Sequence, residues 1–415
     1  MRATLWGATL IVLSAVMQIG MALPMAYYFH RATSVGIAAN LLAVPMLQLL
    51  MPAAVIAVAL SYFSLALAKV PALVAALSLR GIVGTIHSLS ALRMADTRVA
   101  NPETWMIALC GLGMLVCVVL MRRSRKASWC GLGLLLASTV CLWTIKPGEV
   151  IHRGMLELTA IDVGQGDSLL VISPDGKKLL IDGGGLPVWV HSQMEIGEDV
   201  VSPYLWTRGF SRIDAIALTH AHADHMIGFL AVIANFHPRE LWLPQNVPQA
   251  EIRRLLQRAE QYGTRVIYHR AGDVLSFGRA NVRVLAPDPR FPVRSGKRND
   301  ESLIMKISYG ETAMLLEADA EKGTERLISS EAPEADVLKV AHHGSASATN
   351  TDFLQRVRPR YAVISVGARN VYRHPRPEVL QRLQHASVRT YRTDRNGATT
   401  FLLDGKSVTS LTNLR

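Results

Sequence analysis

Between residues 218 and 228 the chain reads Leu-Thr-His-Ala-His-Ala-Asp-His-Met-Ile-Gly, which puts His220, His222, Asp224 and His225 within six residues. An apolar run precedes them. If that run is a strand, the alternate positions 220 and 222 share one face at its end. If the chain then turns into a helix, Asp224 and His225 are presented beside them to a second centre. Imidazole and carboxylate donors suit zinc, manganese or iron, and an open coordination position leaves room for water. A solvated, histidine-rich turn is the bland alternative. Three histidines and an aspartate at this spacing, directly behind an apolar run, favour a hydrolytic metal centre.

The elements that must carry such a site begin after Lys146-Pro-Gly. Short β-type runs are expected at Leu156–Ile161, Ser168–Ile172, Lys178–Ile181, Ile213–Leu218, Val282–Leu285, Leu303–Ser308 and Thr312–Leu316. Val337–Val340, Tyr361–Val366 and Thr399–Leu403 continue the series. Helical patterns fall at Gln249–Tyr262, Glu321–Ser329 and Pro377–His385. This mixture predicts sheets faced by helices on both sides. The segment Asp288–Asp300 reads as an exposed loop, and its Arg290, Arg294, Lys297 and Arg298 as solvated side chains before a nucleic-acid groove.

Residues 1–149 have a different character. They hold 11 Lys/Arg and 3 Asp/Glu, against 33 and 29 in residues 150–415, so most of the +12 net charge sits in the charge-poor third. A membrane span needs about 20 apolar residues as helix. Leu5–Phe29, Val35–Leu60 and Ser61–Leu79 meet that length, and Thr104–Leu120 and Trp129–Trp143 come close to it. Arg80–Met94 reads as an interfacial or re-entrant stretch. Five spans from a cytoplasmic Arg2 keep the cluster Arg122, Arg123, Arg125 and Lys126 in the cytoplasm and place Lys146 outside. Residues 150–415 are then expected outside the cytoplasm. Asn40, Pro45, Pro52, Gly81 and Gly84 read as kinks and close helix packing rather than a pathway of broken helices. Cys110, Cys117, Cys130 and Cys141 all lie in the last two spans, which excludes a disulfide framework or thiolate site beyond residue 149.

His220-x-His222-x-Asp224-His225 resembles the signature of the metallo-β-lactamase superfamily. That resemblance implies an αββα fold and gives meaning to four later or earlier stretches. Ile181-Asp182-Gly-Gly-Gly185 resembles the early Asp-Gly motif, with Asp182 supporting the site. Leu316-Glu-Ala-Asp319 stands where a bridging aspartate is expected. Val340-Ala-His342-His343-Gly-Ser345 resembles a later His motif that supplies one ligand from its pair. Asn370-Val-Tyr-Arg-His374-Pro375 matches the last His motif. His152, His191, His237, His269 and His385 lie outside these motifs and read as ordinary residues.

The opening Ile161-Asp162-Val-Gly-Gln-Gly-Asp167-Ser is similar to the start of the hydrolase domain of ComEC-type DNA-uptake proteins. The apolar stretch Ala38-Ala-Asn-Leu-Leu-Ala-Val-Pro45 resembles their channel segment, and a polytopic membrane part followed by this domain fits the same group. Many such domains carry Asp where this chain has His222; here the full His-x-His-x-Asp-His pattern is intact. The resemblance implies two divalent ions, zinc or manganese. His220, His222 and either His342 or His343 would hold the first, Asp224, His225 and His374 the second, with Asp319 bridging. Asp224, Asp319 and His343 form the implied catalytic set. Asp162, Asp167 and Asp182 would shape the site, and Ser345 or Asn370 would position substrate.

The function expected on this basis is cleavage of DNA phosphodiester bonds of the non-imported strand, at the outer face of a bacterial plasma membrane. DNA and the bilayer are the expected partners, with DNA-delivery proteins and a separate chain that supplies an N-terminal channel part. The chain starts midway through the family's channel domain, as a truncated reading frame, a split gene or a remnant would. The competing readings are a hydrolase of another envelope ester or phosphodiester, and a DNA-channel component without catalysis.

Overall fold

A computed structural model describes residues 2–92, 95–187, 190, 192–289, 298–331 and 334–412. The chain divides into two units, Met1–Gly148 and Glu149–Arg415. The first holds helices α1 (Arg2–Phe29), α2 (Gly36–Ser61), α3 (Leu65–Ser90), α4 (Thr104–Met121) and α5 (Arg125–Thr144). Each contains a stretch long and apolar enough to cross a membrane. At 1.5 Å per residue the 26 residues of α2 and of α3 each reach about 39 Å, more than the ~30 Å hydrocarbon core. Val12, Val55, Val70 and Val118 face outward on these helices, as lipid-facing side chains do.

The expected interfacial stretch Arg80–Met94 is corrected here. The third helix runs unbroken from Leu65 to Ser90 and absorbs most of it, while residues 93 and 94 lie outside the described ones. Pro45 and Pro52 sit inside α2 without breaking it. Gly81 marks a close approach of α3 to α2, because a Cβ there would stand 2.7 Å from Met46 Sδ. Close packing is seen at Gly81 and not at Gly84, where a Cβ would meet nothing within 4 Å, and Pro52 is exposed. At one end, β1 (Arg31–Ala32) pairs antiparallel with β2 (Thr97–Arg98).

The second unit is two stacked sheets with helices outside. Strands β3 (Leu156–Ala160), β4 (Leu169–Ile172), β5 (Lys178–Ile181), β6 (Ala215–Ala217), β7 (Glu240–Pro244) and β8 (Arg265–His269) belong to the first sheet. Strands β9 (Val274–Phe277), β10 (Ala280–Ala286), β11 (Ile304–Tyr309), β12 (Thr312–Leu316), β13 (Val337–Lys339), β14 (Tyr361–Ile364) and β15 (Arg389–Arg392) form the second. β16 (Thr399–Leu403) and β17 (Val408–Thr412) return to the first, whose order is β17-β16-β3-β4-β5-β6-β7-β8. The second sheet runs β15-β14-β13-β12-β11-β10-β9. In each sheet one half is antiparallel and the other, β5 to β8 and β12 to β15, is parallel.

Period-two alternation builds the layers. Leu158, Val171, Ile181, Met305, Met314 and Val363 meet between the sheets. Their neighbours Leu170, Leu180 and Ile216 point the other way, against α8 (Phe229–Phe236) and α9 (Arg253–Gln261). Leu315, Leu338 and Ile364 do the same on the far side, against α10 (Lys322–Ser329), α11 (Thr351–Val357) and α12 (Pro377–His385). Burial on both faces explains why these strands read as continuous apolar runs. The result is an αββα sandwich.

Arg290, Arg294 and Lys297 of the expected basic loop, and His191, lie outside the described residues, as does the side chain of Arg298.

Candidate metal centre

Asp182, His220, Asp319 and His343 each follow the C-terminal end of a parallel strand: β5, β6, β12 and β13. Loops at that edge of parallel strands are where α/β folds place their sites. Asp162 after β3 and Asp167 before β4 join them, because those strands run antiparallel and meet at the same edge. The turn Ala223–Met226 is helical, so the chain does pass from strand into helix within the histidine cluster.

Glycines let this turn sit down on the floor. A Cβ at Gly185 would lie 2.0 Å from Ala223 O, and one at Gly166 would lie 2.4 Å from Asp224 O. Backbone bonds from Gly183 N to His225 O (2.7 Å) and from Asp167 N to Asp224 O (3.3 Å) close the contact. Asp182, Ala318, His342 and His343 all adopt positive φ, between 48° and 58°. Each costs on the order of 1–3 kcal/mol for a residue other than glycine, and such strain clusters at functional sites.

Asp182 anchors the imidazoles. Its Oδ1 accepts from Thr219 N (2.8 Å), and its Oδ2 accepts from Thr219 Oγ1 (2.7 Å) and His225 Nδ1 (2.7 Å). Thr219 Oγ1 in turn lies 3.0 Å from His220 Nδ1. His343 Nδ1 donates to Ser365 O at 3.0 Å, and His374 Nδ1 to His342 O at 3.2 Å. With Nδ1 engaged, the Nε2 of His225, His343 and His374 is the nitrogen left to accept.

Four groupings could hold a cation among the described residues. They are His220–His222–Asp319, Asp224–His225–His343, Asp167–Asp182–His225 and Asp167–Asp319–His343. Asp319 is the hub. Its Oδ2 stands 3.4 Å from His225 Nε2, 3.6 Å from His343 Nε2, and 3.9 Å from both His220 Nε2 and His342 Nε2. His343 Nε2 is also 3.7 Å from Asp224 Oδ2.

Do these residues fit metal ions? The buried atoms His225 Nε2, His343 Nε2 and Asp319 Oδ1 have no hydrogen-bond partner. His225 Nε2 and His343 Nε2 both face Asp319 Oδ2, and buried polar atoms without a hydrogen-bond partner are costly unless a cation satisfies them. The fit is good.

The charges agree. Burial alone would neutralise these groups, yet Asp319, Asp182 and Asp224 hold His225 well above the usual imidazole range. Burial is likewise outweighed at Asp319, which His343, His225 and His220 hold well below the usual carboxylate range. Asp224 is lowered by His225 and His343 against its burial. Burial and the His225 charge push His220 well down, so it stays neutral. His374 falls to about 4, through burial and then His342 and His343. His343 is likewise raised, by Asp319 and Asp167 against its burial, so the surroundings of His225 and His343 favour positive charge.

The grouping differs from the one the sequence suggests. His343, fully buried, joins Asp224 and His225 rather than His220 and His222. His342 is partly exposed, beside Asn299 and Glu321. His374 stands 5.8 Å from His342 between ring centroids and lines the cavity without entering a cluster. Asn370 is engaged by its own loop and does not line the cavity: its Nδ2 donates to Gly367 O and His374 O, and its Oδ1 accepts from His374 N, all at 2.8 Å. Asn370 therefore fixes the loop that aims His374. Ser345 lies 3.0 Å from Ser347 Oγ and away from the cavity. Asp162 Oδ1 accepts from Gly164 N at 3.4 Å and shapes its own loop.

The cavity over the cluster measures about 720 Å³. Met226, Ile227, Leu230 and Leu255 give it an apolar wall, and Arg254, Tyr372 and Asn299 supply polar groups on the rest. Sequence reasoning passed over Thr219, Tyr372, Arg254 and Lys339. Lys339 had a legible signal, a lone cation inside the apolar run Val337–Val340.

Comparison with known proteins follows the same division. Residues 161–368 match the metallo-beta-lactamase superfamily and residues 1–125 the family described as competence protein. ComE operon protein 3 of Bacillus subtilis is 30% identical over 401 residues, which is 94% of this chain and 51% of that protein. Competence protein ComA of Neisseria gonorrhoeae is 29% identical over 257 residues, 61% of this chain and 33% of that protein. Among solved structures, the metallo-beta-lactamase fold protein YhfI of Bacillus subtilis covers 61% of this chain and 99% of its own, with 16% identity and a TM-score of 0.39. The fold and the site define a metallo-β-lactamase-superfamily domain behind a membrane-helix unit. The superfamily match spans half of the chain, which belongs to the metallo-beta-lactamase superfamily; with both parts matched in this order, the chain is similar to ComEC-type competence proteins. It spans about half the length of its Bacillus relative and a third of the gonococcal one.

Proposed function

We propose that this chain is a membrane-anchored hydrolase of DNA uptake, whose second unit cleaves phosphodiester bonds in the strand that is not imported. The observation that carries the reading is the set of orphaned, buried donor atoms on His225, His343 and Asp319, flanked by His220, His222 and Asp224. Two divalent ions, zinc or manganese, would be held by His220, His222, Asp224, His225 and His343, with Asp319 shared and His374 completing the set. Bound there, they supply Lewis acidity and a nucleophile at neutral pH.

The remaining work falls to the protein. Asp182 keeps His225 in one tautomer, and Asn370 holds His374 over the cavity. Arg254 binds an adjacent phosphate, and the Met226–Leu230 wall excludes water from the nucleoside side. Membrane orientation supports an extracytoplasmic site: five spans with Arg122, Arg123 and Lys126 in the cytoplasm leave residue 145 outside. Residues 150–415 carry only +4, so DNA is argued from the site and the family rather than from bulk charge.

The test is incubation of the full chain in detergent with Mn²⁺ or Zn²⁺ and end-labelled linear DNA. Metal-dependent cleavage that disappears in the His222→Ala, Asp224→Ala double variant is expected. Cleavage of a generic phosphodiester but not of DNA would move the reading to another envelope substrate. Absence of any cleavage would overturn it.

A further inference from the structure

Two of the four potential cation clusters share Asp167, and Asp167 already holds a cationic side chain. Lys339, at the end of β13, is fully buried, and its Nζ donates to Asp167 Oδ2 and, at 3.1 Å, to Ala318 O. Asp167 is also fully buried; its Oδ1 lies 3.6 Å from His343 Nδ1 and its Oδ2 3.9 Å from His225 Nδ1. The ammonium is thus linked through Asp167 to the Nδ1 side of the two imidazoles whose Nε2 atoms face Asp319. Its second bond holds the carbonyl of Ala318, whose left-handed backbone (φ 52°) turns the chain to present Asp319. Two further buried carboxylates stand nearby: Glu317, and Glu325, which is engaged by the backbone of Thr349 and Asn350.

We propose that Lys339 is a resident cation of the metal centre: it fills the Asp167 position in place of a metal ion and so confines metal to the two clusters around Asp319. The inference rests on the metal-binding reading above. Asp167, Asp182, Asp224 and Asp319 bring four carboxylates together; Asp224 and Asp319 line the cavity, whereas Asp167 and Asp182 are buried away from it. An ammonium held in two hydrogen bonds neutralises Asp167 without open coordination positions. A metal ion at the same place would compete with His225 and His343 for their ligand role. Lys339 is thus a positioning residue that sets metal stoichiometry; it does not touch substrate.

The experiment is metal counting on the full chain in detergent. Mn²⁺ is titrated after chelator treatment, and bound metal is read by elemental analysis and by the electron paramagnetic resonance of coupled ions. Lys339→Met leaves Asp167 buried and unpaired, and a buried unpaired charge recruits a counterion. This variant is expected to bind one equivalent of Mn²⁺ more than the parent and to lose the parent's coupled signal. Lys339→Arg, which keeps the charge, is expected to keep the parent count. Lys339→Met combined with Asp167→Asn removes both charges and is expected to return to the parent count. Should Lys339→Met fail to fold, Lys339→Gln, neutral but with a hydrogen-bonding head, is expected to gain the same equivalent, and parent stoichiometry in it would overturn the proposal. Parent stoichiometry in Lys339→Met, or an extra equivalent persisting in the double variant, would overturn the proposal. A parent chain that binds no Mn²⁺ would instead overturn the metal-centre reading itself, so the two failures are distinguishable.

Discussion

Asp182→Asn tests how the centre is held without replacing a residue of the clusters His220–His222–Asp319 or Asp224–His225–His343. The wild-type carboxylate accepts three hydrogen bonds of 2.7–2.8 Å, from Thr219 N, Thr219 Oγ1 and His225 Nδ1. The amide keeps one acceptor oxygen for Thr219 N. It then turns an NH₂ toward His225 Nδ1–H, donor against donor. The imidazole relieves this by moving its proton to Nε2, the nitrogen that faces Asp319 at 3.4 Å. A protonated Nε2 cannot bind metal. Loss of a partner behind a ligating histidine typically weakens metal affinity about 10- to 100-fold, or about 1.4–2.7 kcal/mol. Isothermal titration of the chelator-treated full chain with Zn²⁺ reads the effect, and circular dichroism confirms the fold. Affinity within twofold of the parent in a folded variant would refute the claim that Asp182 sets the His225 tautomer.

Gly185→Ala places a Cβ 2.0 Å from Ala223 O, so the turn carrying Asp224 and His225 must lift; metal affinity and thermal stability should fall together, as titration and melting would show. Asn370→Ala frees the loop before His374, and cleavage is expected to drop about 10- to 100-fold, as outer supports of metal ligands do, with little change in melting temperature. Glu157, fully buried, is held below the usual carboxylate range against its burial by Arg208 and His152. Its stabilisation is therefore present above the unfolded value near pH ~4.3 and is lost as pH falls through the lower folded value. Arg208→Met strands that carboxylate, so denaturant unfolding at pH 7 should show a loss of about 3–5 kcal/mol that shrinks toward pH 4. Saturating metal at 100 times its dissociation constant should stabilise the second unit by about 2.7 kcal/mol over chelator, visible as a higher melting temperature.

The donor set was readable because ligand chemistry is local: His220, His222, Asp224 and His225 fall within six residues, and a strand-to-helix turn presents them together. Strands with both faces buried, such as β4, β5 and β12, were readable as continuous apolar runs. Edge strands were not. β8 and β9 are half exposed, so Arg265, Tyr268 and Val274 dilute any alternation. Helix α8 is apolar nearly throughout, and period alone does not separate a buried helix from a strand. That His343 is buried in the cluster while His342 is partly exposed needed three dimensions, because adjacent residues in left-handed backbone send their rings to different places. Asn370 looked like a substrate residue because polar residues in a motif loop usually face the cavity; here all its hydrogen bonds turn back on the loop. Lys339 passed unnoticed because its partner, Asp167, lies 172 positions away.

The central claim is that the cluster around Asp319 holds metal for hydrolysis of DNA. Its most direct test measures bound metal and DNA cleavage on one preparation of the full chain, beside the His222→Ala, Asp224→Ala variant. The account predicts bound divalent metal with metal-dependent release of nucleotides from the parent, and loss of both from the variant. A parent chain that binds metal and DNA yet leaves every phosphodiester intact, or a double variant that cleaves as well as the parent, would contradict it.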